Sequence, residues 1–155
     1  MKTEFGSIDD ILEFAIVKEK EAVEFYVSLA KQATRTSLKE TFESFAREEE
    51  KHAALLSDIS GNKARIDSYE FKPVTDLKIS DYMVEIEYEE GMPMPEILKI
   101  AMKREEKAVK LYSMLADQTD NEDGKKVFMI LVQEEKKHKL ALESMYDDYL
   151  ADQDN

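Results

Sequence analysis

Apolar residues recur along most of the chain at steps of three and four. Four segments carry such a stripe, and each step pattern predicts an amphipathic helix with one buried face. The first opens at Ser7-Ile8-Asp9-Asp10, with Ser7 placed to cap it. Its stripe is Ile8, Ile11 or Leu12, Ala15, Glu19, Ala22, Tyr26, Leu29 and Ala33. The second opens at the capping box Ser37-Leu38-Lys39-Glu40, runs inward through Phe42, Phe45, Glu49, His52 and Leu56, and is expected to stop at Gly61-Asn62. The third begins near Pro95, with Leu98, Ala101, Glu105, Ala108, Tyr112 and Leu115 in its stripe. The fourth follows Asp120-Asn121 and turns Phe128, Leu131, Glu135, His138, Leu142 and Met145 inward. Residues 61–93 break the periodicity with Pro73, Gly91 and Pro93, and read as a crossover connection. Within it, Val84-Glu85-Ile86-Glu87-Tyr88 alternates like a short strand, although Asp81 to Tyr88 also suits a helical turn. Asp147 to Asn155 is an acidic tail expected to fray.

The third and fourth segments repeat the first and second at an offset of 86. Between positions 11 and 56 the ungapped comparison has 17 identities in 46. They include Ala15 with Ala101, Glu19 with Glu105, Tyr26 with Tyr112, Phe42 with Phe128, Glu49 with Glu135 and His52 with His138. The expected architecture is therefore all-α: a four-helix bundle of two repeated antiparallel hairpins, with a long crossover between helices 2 and 3. One domain over 1–155 is expected, with repeat 1 at about 8–60, the crossover at 61–93, repeat 2 at about 94–146 and the tail at 147–155.

Chemistry enters where the stripes are interrupted. Glu19 and Glu105 stand on the apolar seam, and Glu49-x-x-His52 and Glu135-x-x-His138 each place a carboxylate and an imidazole on one helix face. In an antiparallel hairpin, residues equidistant from the turn lie level. Glu19 and His52 are centred at 35.5, and Glu105 and His138 at 121.5, which are the two expected turns. Each hairpin should thus set one Glu beside its own Glu-x-x-His, and the internal twofold of the repeat should bring the two sets together. Four carboxylates in an apolar interior are unfavourable as bare charges. Two divalent cations would neutralise them, and mixed carboxylate and imidazole donors suit iron or manganese, with zinc also able to bind. A lone seam Glu is usually a snorkelling side chain, and a lone Glu-x-x-His is usually solvated. Here both recur at one offset, and the chain's two His are the two motif His. Glu48 and Glu134 also recur and could be ligands instead, or could hold the His rings from behind. Tyr26 and Tyr112 read as core aromatics, or as phenols bonded to a ligand carboxylate or serving as electron donors.

Composition narrows the field. In 155 residues, 22 Lys+Arg against 35 Asp+Glu leave a net charge of −13, which argues against nucleic acid and anionic membranes as partners. Cys is absent, which removes disulfides, thiolate nucleophiles and cysteine-ligated iron. The start lacks the apolar core of a signal peptide, and a soluble cytoplasmic protein is expected. A homodimer or small homo-oligomer is expected from the frequency of such assemblies.

The Glu19-x-x-Ala22-x-x-x-Tyr26 and Glu49-x-x-His52 patterns, with their repeats, resemble the ferritin-like di-iron superfamily, and within it the di-iron domain of rubrerythrins, over roughly residues 8–146. The resemblance implies a ferritin-like bundle with two iron ions held by Glu19, Glu49, His52, Glu105, Glu135 and His138, with Glu49 and Glu135 bridging. It implies reduction of hydrogen peroxide or dioxygen, or oxidation of ferrous iron. Typical members carry a rubredoxin-type domain; without Cys, electrons must come from a separate donor protein. They also carry a further carboxylate one turn after the third-helix Glu, where this chain has Ala108. Neither Glu106, which points away, nor Lys107 replaces it. The three readings are a di-iron oxidoreductase, an iron-buffering ferroxidase, and a metal-stapled helical module that binds another protein through 61–93.

Overall fold

A computed structural model describes residues 3–153, and among these the regular elements are all helical; a few isolated bridge residues, among them Glu4 paired with Lys78, lie outside them. The helices are α1 (Ile8–Gln32), α2 (Thr36–Ser60), a short α3 (Lys63–Ser68), α4 (Met94–Gln118) and α5 (Glu122–Gln153). A single 3-10 turn spans Ile79–Tyr82. The chain divides into two compact units. One is Phe5–Thr75; the other runs from Asp76 onward and takes in Thr3 and Glu4.

In the first unit, α1 packs along α2 as an antiparallel hairpin, and α3 folds against α2. The start of α1 is fixed as the sequence predicts. Ser7 Oγ accepts the Asp10 N–H at 3.2 Å, while Asp10 Oδ2 accepts the Gly6 N–H at 3.0 Å. Two otherwise unsatisfied amides are thus paired, and Asp9 and Asp10 complement the positive helix end. The turn is only Ala33–Arg35, so α2 starts at Thr36 and Ser37 is already helical. The expected capping box at Ser37 is therefore not used, and Arg35 occupies the cap position without a side-chain hydrogen bond. The helix ends where expected: the Gly61 N–H donates to Ser57 O at 2.9 Å, and Asn62 Oδ1 caps α3 through the Arg65 N–H. Between the helices lies an apolar seam in which Tyr26 stacks on Phe42 (6.2 Å between centroids) and meets Phe45 edge-on (5.3 Å).

The second unit pairs α4 with α5 in the same way. Asn121 Oδ1 accepts the Gly124 N–H at 3.0 Å and starts α5. Pro93 and Pro95 flank the first residue of α4, where missing amide hydrogens are tolerated. Two expectations fail here. The acidic tail does not fray from Asp147, because α5 continues to Gln153. Its last turns contain no glycine or proline to stop them, and Lys99 Nζ sits 5.8 Å from the Tyr146 ring at their base. Asp154 and Asn155 lie outside the described residues. Val84–Tyr88 is not a strand; among the described residues no strand is offered to pair with it, and the bridge between Glu4 and Lys78 lies outside it. The 3-10 turn instead straps the connection onto α4, with Lys107 Nζ donating to Asp81 O at 3.1 Å and Lys110 lying over the Tyr82 ring at 5.5 Å. Glu70 and Asp76 take left-handed backbone angles (φ 51 and 54) where the connection turns.

Loss of the first cap should be felt by the whole hairpin. Ser7→Ala is expected to lower unfolding stability by about 1 kcal/mol in urea titrations, with no change in helix content below the transition.

Candidate metal centre

Each hairpin carries one triad of ligand-type side chains at its seam. In the first, Glu19 comes from α1, and Glu49 and His52 from α2. His52 Nδ1 lies 3.4 Å from Glu49 Oε1 and 3.7 Å from Glu19 Oε2. In the second, Glu105 comes from α4, and Glu135 and His138 from α5, with His138 Nδ1 3.5 Å from Glu105 Oε1. Within each triad, the three residues offer ligand atoms within 4.8 Å of one another. Each hairpin thus sets its seam Glu beside its own Glu-x-x-His, although the observed turns, 33–35 and 119–121, are centred 1.5 residues before the expected midpoints of 35.5 and 121.5.

All six side chains are buried; Glu135 is fully so, and the other five are at most 3% exposed. Glu48 and Glu134 are only half-buried. That distinguishes the pairs that compete along α2 and α5: the member in register with Phe45 or Leu131 turns inward, and its neighbour turns toward the helix flank. Tyr26 and Tyr112 are buried two turns along the seam from Glu19 and Glu105. Ala108 is half-buried and Glu106 exposed, so α4 brings no further carboxylate inward beside Glu105. Among the described residues, the clusters able to hold a metal contain only the six predicted side chains.

Electrostatics of the first triad indicates what it is built to hold. Burial, and then the Glu49 carboxylate beside it, push the Glu19 carboxyl from 4.5 up to about 8. For His52, burial opposes the charged form, but hydrogen bonding and attraction to Glu19 and Glu49 outweigh it and raise the imidazole from 6.5 to about 11. Without metal at neutral pH, the triad therefore keeps a proton on the carboxylate pair and an imidazolium at His52. Two carboxyls, one proton and one imidazolium sum to zero charge. Two carboxylates, a neutral imidazole and a divalent cation also sum to zero. A divalent metal can thus replace two protons without leaving net buried charge, and the donors fit iron or manganese.

A long helical hairpin with a buried carboxylate–imidazole triad, present twice in the chain, is an arrangement of ferritin-like type. The solved structures agree. A ferritin-like diiron-carboxylate protein of Thermotoga maritima matches with a TM-score of 0.74 and 26% identity, over 96% of this chain and 99% of its own. A hypothetical protein of Pyrococcus furiosus matches at 0.69 and 29%, over 94% and 91%. CopM in its Cu(II)-bound form, at 0.64 and 13% over 91% and 96%, shares the fold. No curated protein matches the sequence. The rubrerythrin family model covers residues 10–146, and the chain belongs to that family. Among the described residues, no helix is long and apolar enough to cross a membrane.

Proton exchange at the first triad has a definite sign. Both folded-state values lie above their unfolded ones, so this contribution to metal-free stability is greatest at low pH. It declines as pH rises from about 4.5 through about 8 for Glu19, and from 6.5 through about 11 for His52. Metal binding runs the other way. Calorimetry in buffers of different ionisation enthalpy at pH 7 is expected to show about two protons released per metal bound at this triad, with affinity rising with pH. Uptake without proton release would contradict the charge exchange.

Proposed function

We propose that the protein is a di-iron oxidoreductase that reduces hydrogen peroxide with electrons from a separate donor protein. Its metal ligands would be Glu19, Glu49, His52, Glu105, Glu135 and His138. The observation that carries the reading is the presence of a buried, closely spaced Glu–Glu–His triad in each hairpin of a rubrerythrin-family chain. Iron held by these six side chains would supply two electrons, one from each metal, for the reduction of hydrogen peroxide. The products are two waters once two protons are added.

The chain's own residues do the rest. Phe45 and Leu56 lie about one turn either side of the first motif, and Leu131 and Leu142 bracket the second. All four are buried and keep bulk water from the triads. Glu48 and Glu134 are half-buried one turn before the histidines, and in this reading they support the imidazole rings from behind. Tyr26 and Tyr112 close the seam beyond Glu19 and Glu105. The 155 residues hold no Cys to bind a rubredoxin-type iron, which is why this reading takes its electrons from a separate donor protein.

A second reading, oxidation of ferrous iron as a substrate, is favoured by one feature. Ala108 stands where typical rubrerythrins carry an additional carboxylate, which leaves a symmetric set of four Glu and two His.

Anaerobic loading with Fe(II), followed by mixing with peroxide or dioxygen, separates the two. The expected result is two irons per chain, oxidised much faster by peroxide. Continued uptake beyond two, with dioxygen the faster oxidant, would replace the peroxidase reading with iron handling. Glu49→Ala with Glu135→Ala is expected to abolish stoichiometric iron binding. Glu48→Ala or Glu134→Ala should weaken iron binding by about 10- to 100-fold.

A further inference from the structure

The outward side of α5 departs from the rest of the chain in charge and in polarity. At about 100° per residue, Met129, Ile130 and Leu140 lie between about 120° and 220° around the helix from the seam residue Glu135. They are 43%, 49% and 65% exposed. Lys126, Lys136 and Lys137 are exposed on the same side. From Gly124 to Leu142 the acids are Glu134 and Glu135, one half-buried and the other buried. A chain of net charge −13 thus carries here an apolar strip edged with lysines.

The strip does not come with the repeat. At the same positions of α2, 86 residues earlier, stand Glu43, Ser44 and Ala54 in place of Met129, Ile130 and Leu140. Glu40 and Glu50 stand in place of Lys126 and Lys136. The two helices agree at the seam and diverge on this side, so helix formation and burial do not account for the strip.

Its position relative to the second triad is specific. Lys136 and Lys137 fall between Glu135 and His138 in the chain, and the helix turns the two pairs to opposite sides. A helix with its side chains is about 10–12 Å across. A protein resting on the strip is therefore separated from Glu135 and His138 by α5 alone. A few exposed apolar residues within a charged rim suit a small, transient protein contact. The sign of the rim selects an acidic partner. Such a partner is repelled by exposed acidic stretches such as Glu85, Glu87, Glu89 and Glu90, and attracted where the sign reverses.

We propose, on the basis of the peroxide-reducing reading, that the α5 strip is where the electron donor docks, and that the donor is a one-electron carrier protein with an acidic face. Each reduced carrier gives up one electron and leaves oxidised, so two successive dockings return a ferric pair to the ferrous state. Lys126, Lys136 and Lys137 steer the carrier in. Met129, Ile130 and Leu140 supply the apolar contact. The first hairpin, whose α2 lacks both, takes no part in docking.

The test uses the full iron-loaded chain and an acidic plant-type ferredoxin as probe. Lys126→Glu with Lys136→Glu and Leu140→Ala gives α5 the residues that α2 carries at the same exposed positions. Lys20→Glu with Lys31→Glu makes the same change in net charge on the exposed side of α1. Calorimetry between ferric protein and oxidised ferredoxin, where no electron moves, is expected to show an affinity that falls with added salt. The α5 variant should bind about tenfold or more weakly, and stopped-flow reduction by reduced ferredoxin should slow to match. Its iron content, its reduction by dithionite and its thermal midpoint should stay as in the wild type, and the α1 variant should bind ferredoxin as the wild type does. Equal losses in the two variants would reduce the effect to net charge and overturn the proposal. So would binding indifferent to the α5 substitutions, absence of binding to the wild type, faster reduction by a basic cytochrome c, or a strip covered by a second copy, seen as a dimer that the α5 substitutions dissociate. Each of these leaves the peroxide-reducing reading in place. Ferrous protein that peroxide fails to oxidise would remove that reading, and the docking proposal with it.

Discussion

The structure turns on one constraint: in each hairpin, two carboxylates and an imidazole sit where the chain would otherwise place Leu or Ala. Bare carboxylates in an apolar seam are costly enough that they must be neutralised by protons or by metal. Everything around the first triad is consistent with a site that exchanges one for the other. Glu19 holds its proton up to about 8, and His52 holds its up to about 11. Such groups are poor contributors to stability as ions, but they form a ready receptor for a divalent cation. The long helices are then a frame. Their length supplies enough buried apolar contact on either side to keep three unfavourable groups aligned.

That frame explains why the site was legible from residue spacing. An alternation of steps of three and four identifies the seam, and a polar residue on it stands out against Ile11, Ala15 and Leu29. A short turn then brings Glu19 level with Glu49-x-x-His52 to within one helical turn, because an antiparallel hairpin admits little freedom of register. Burial separates Glu49 from Glu48 for the same reason, as one residue of offset rotates a side chain by about 100°. What spacing could not reach was local and depended on neighbours. Ser37 is a good cap in isolation, but a three-residue turn starts the helix before it. Val84 to Tyr88 has strand alternation, yet a strand needs a partner, and among the described residues no strand pairs with this segment. The acidic end of α5 lacks an internal stop signal, so charge alone did not end the helix.

The duplication provides a comparison within one molecule. Identities between the repeats gather on inward positions: Leu12, Ala15, Glu19, Tyr26, Leu29, Phe42, Glu49, His52 and Leu56 all have the same residue 86 further on. Both members of each of these pairs are buried. Outward positions are free to drift, and most have. Val17 corresponds to Lys103, Glu24 to Lys110 and Glu50 to Lys136. Shared chemistry is therefore confined to the seam, and whatever distinguishes one half from the other must act through the surface or the connection.

This division bears on Lys107 and Lys110. Their counterparts in α1 are Glu21 and Glu24, both exposed. Exchange of two acids for two lysines gives α4 the means to hold the Asp81 carbonyl and the Tyr82 ring, and hence to fix the start of an otherwise irregular connection. Lys107 is two residues from Glu105, but it points almost opposite to it, so its charge serves the outer face and leaves the triad's balance to its own members. The sequence changes that separate the repeats thus add a strapped connection on the outside without introducing another charged group into the seam. The same backbone can keep a chemically unchanged interior and acquire a different exterior, because the helix places the two sets of positions on opposite sides of one rigid element.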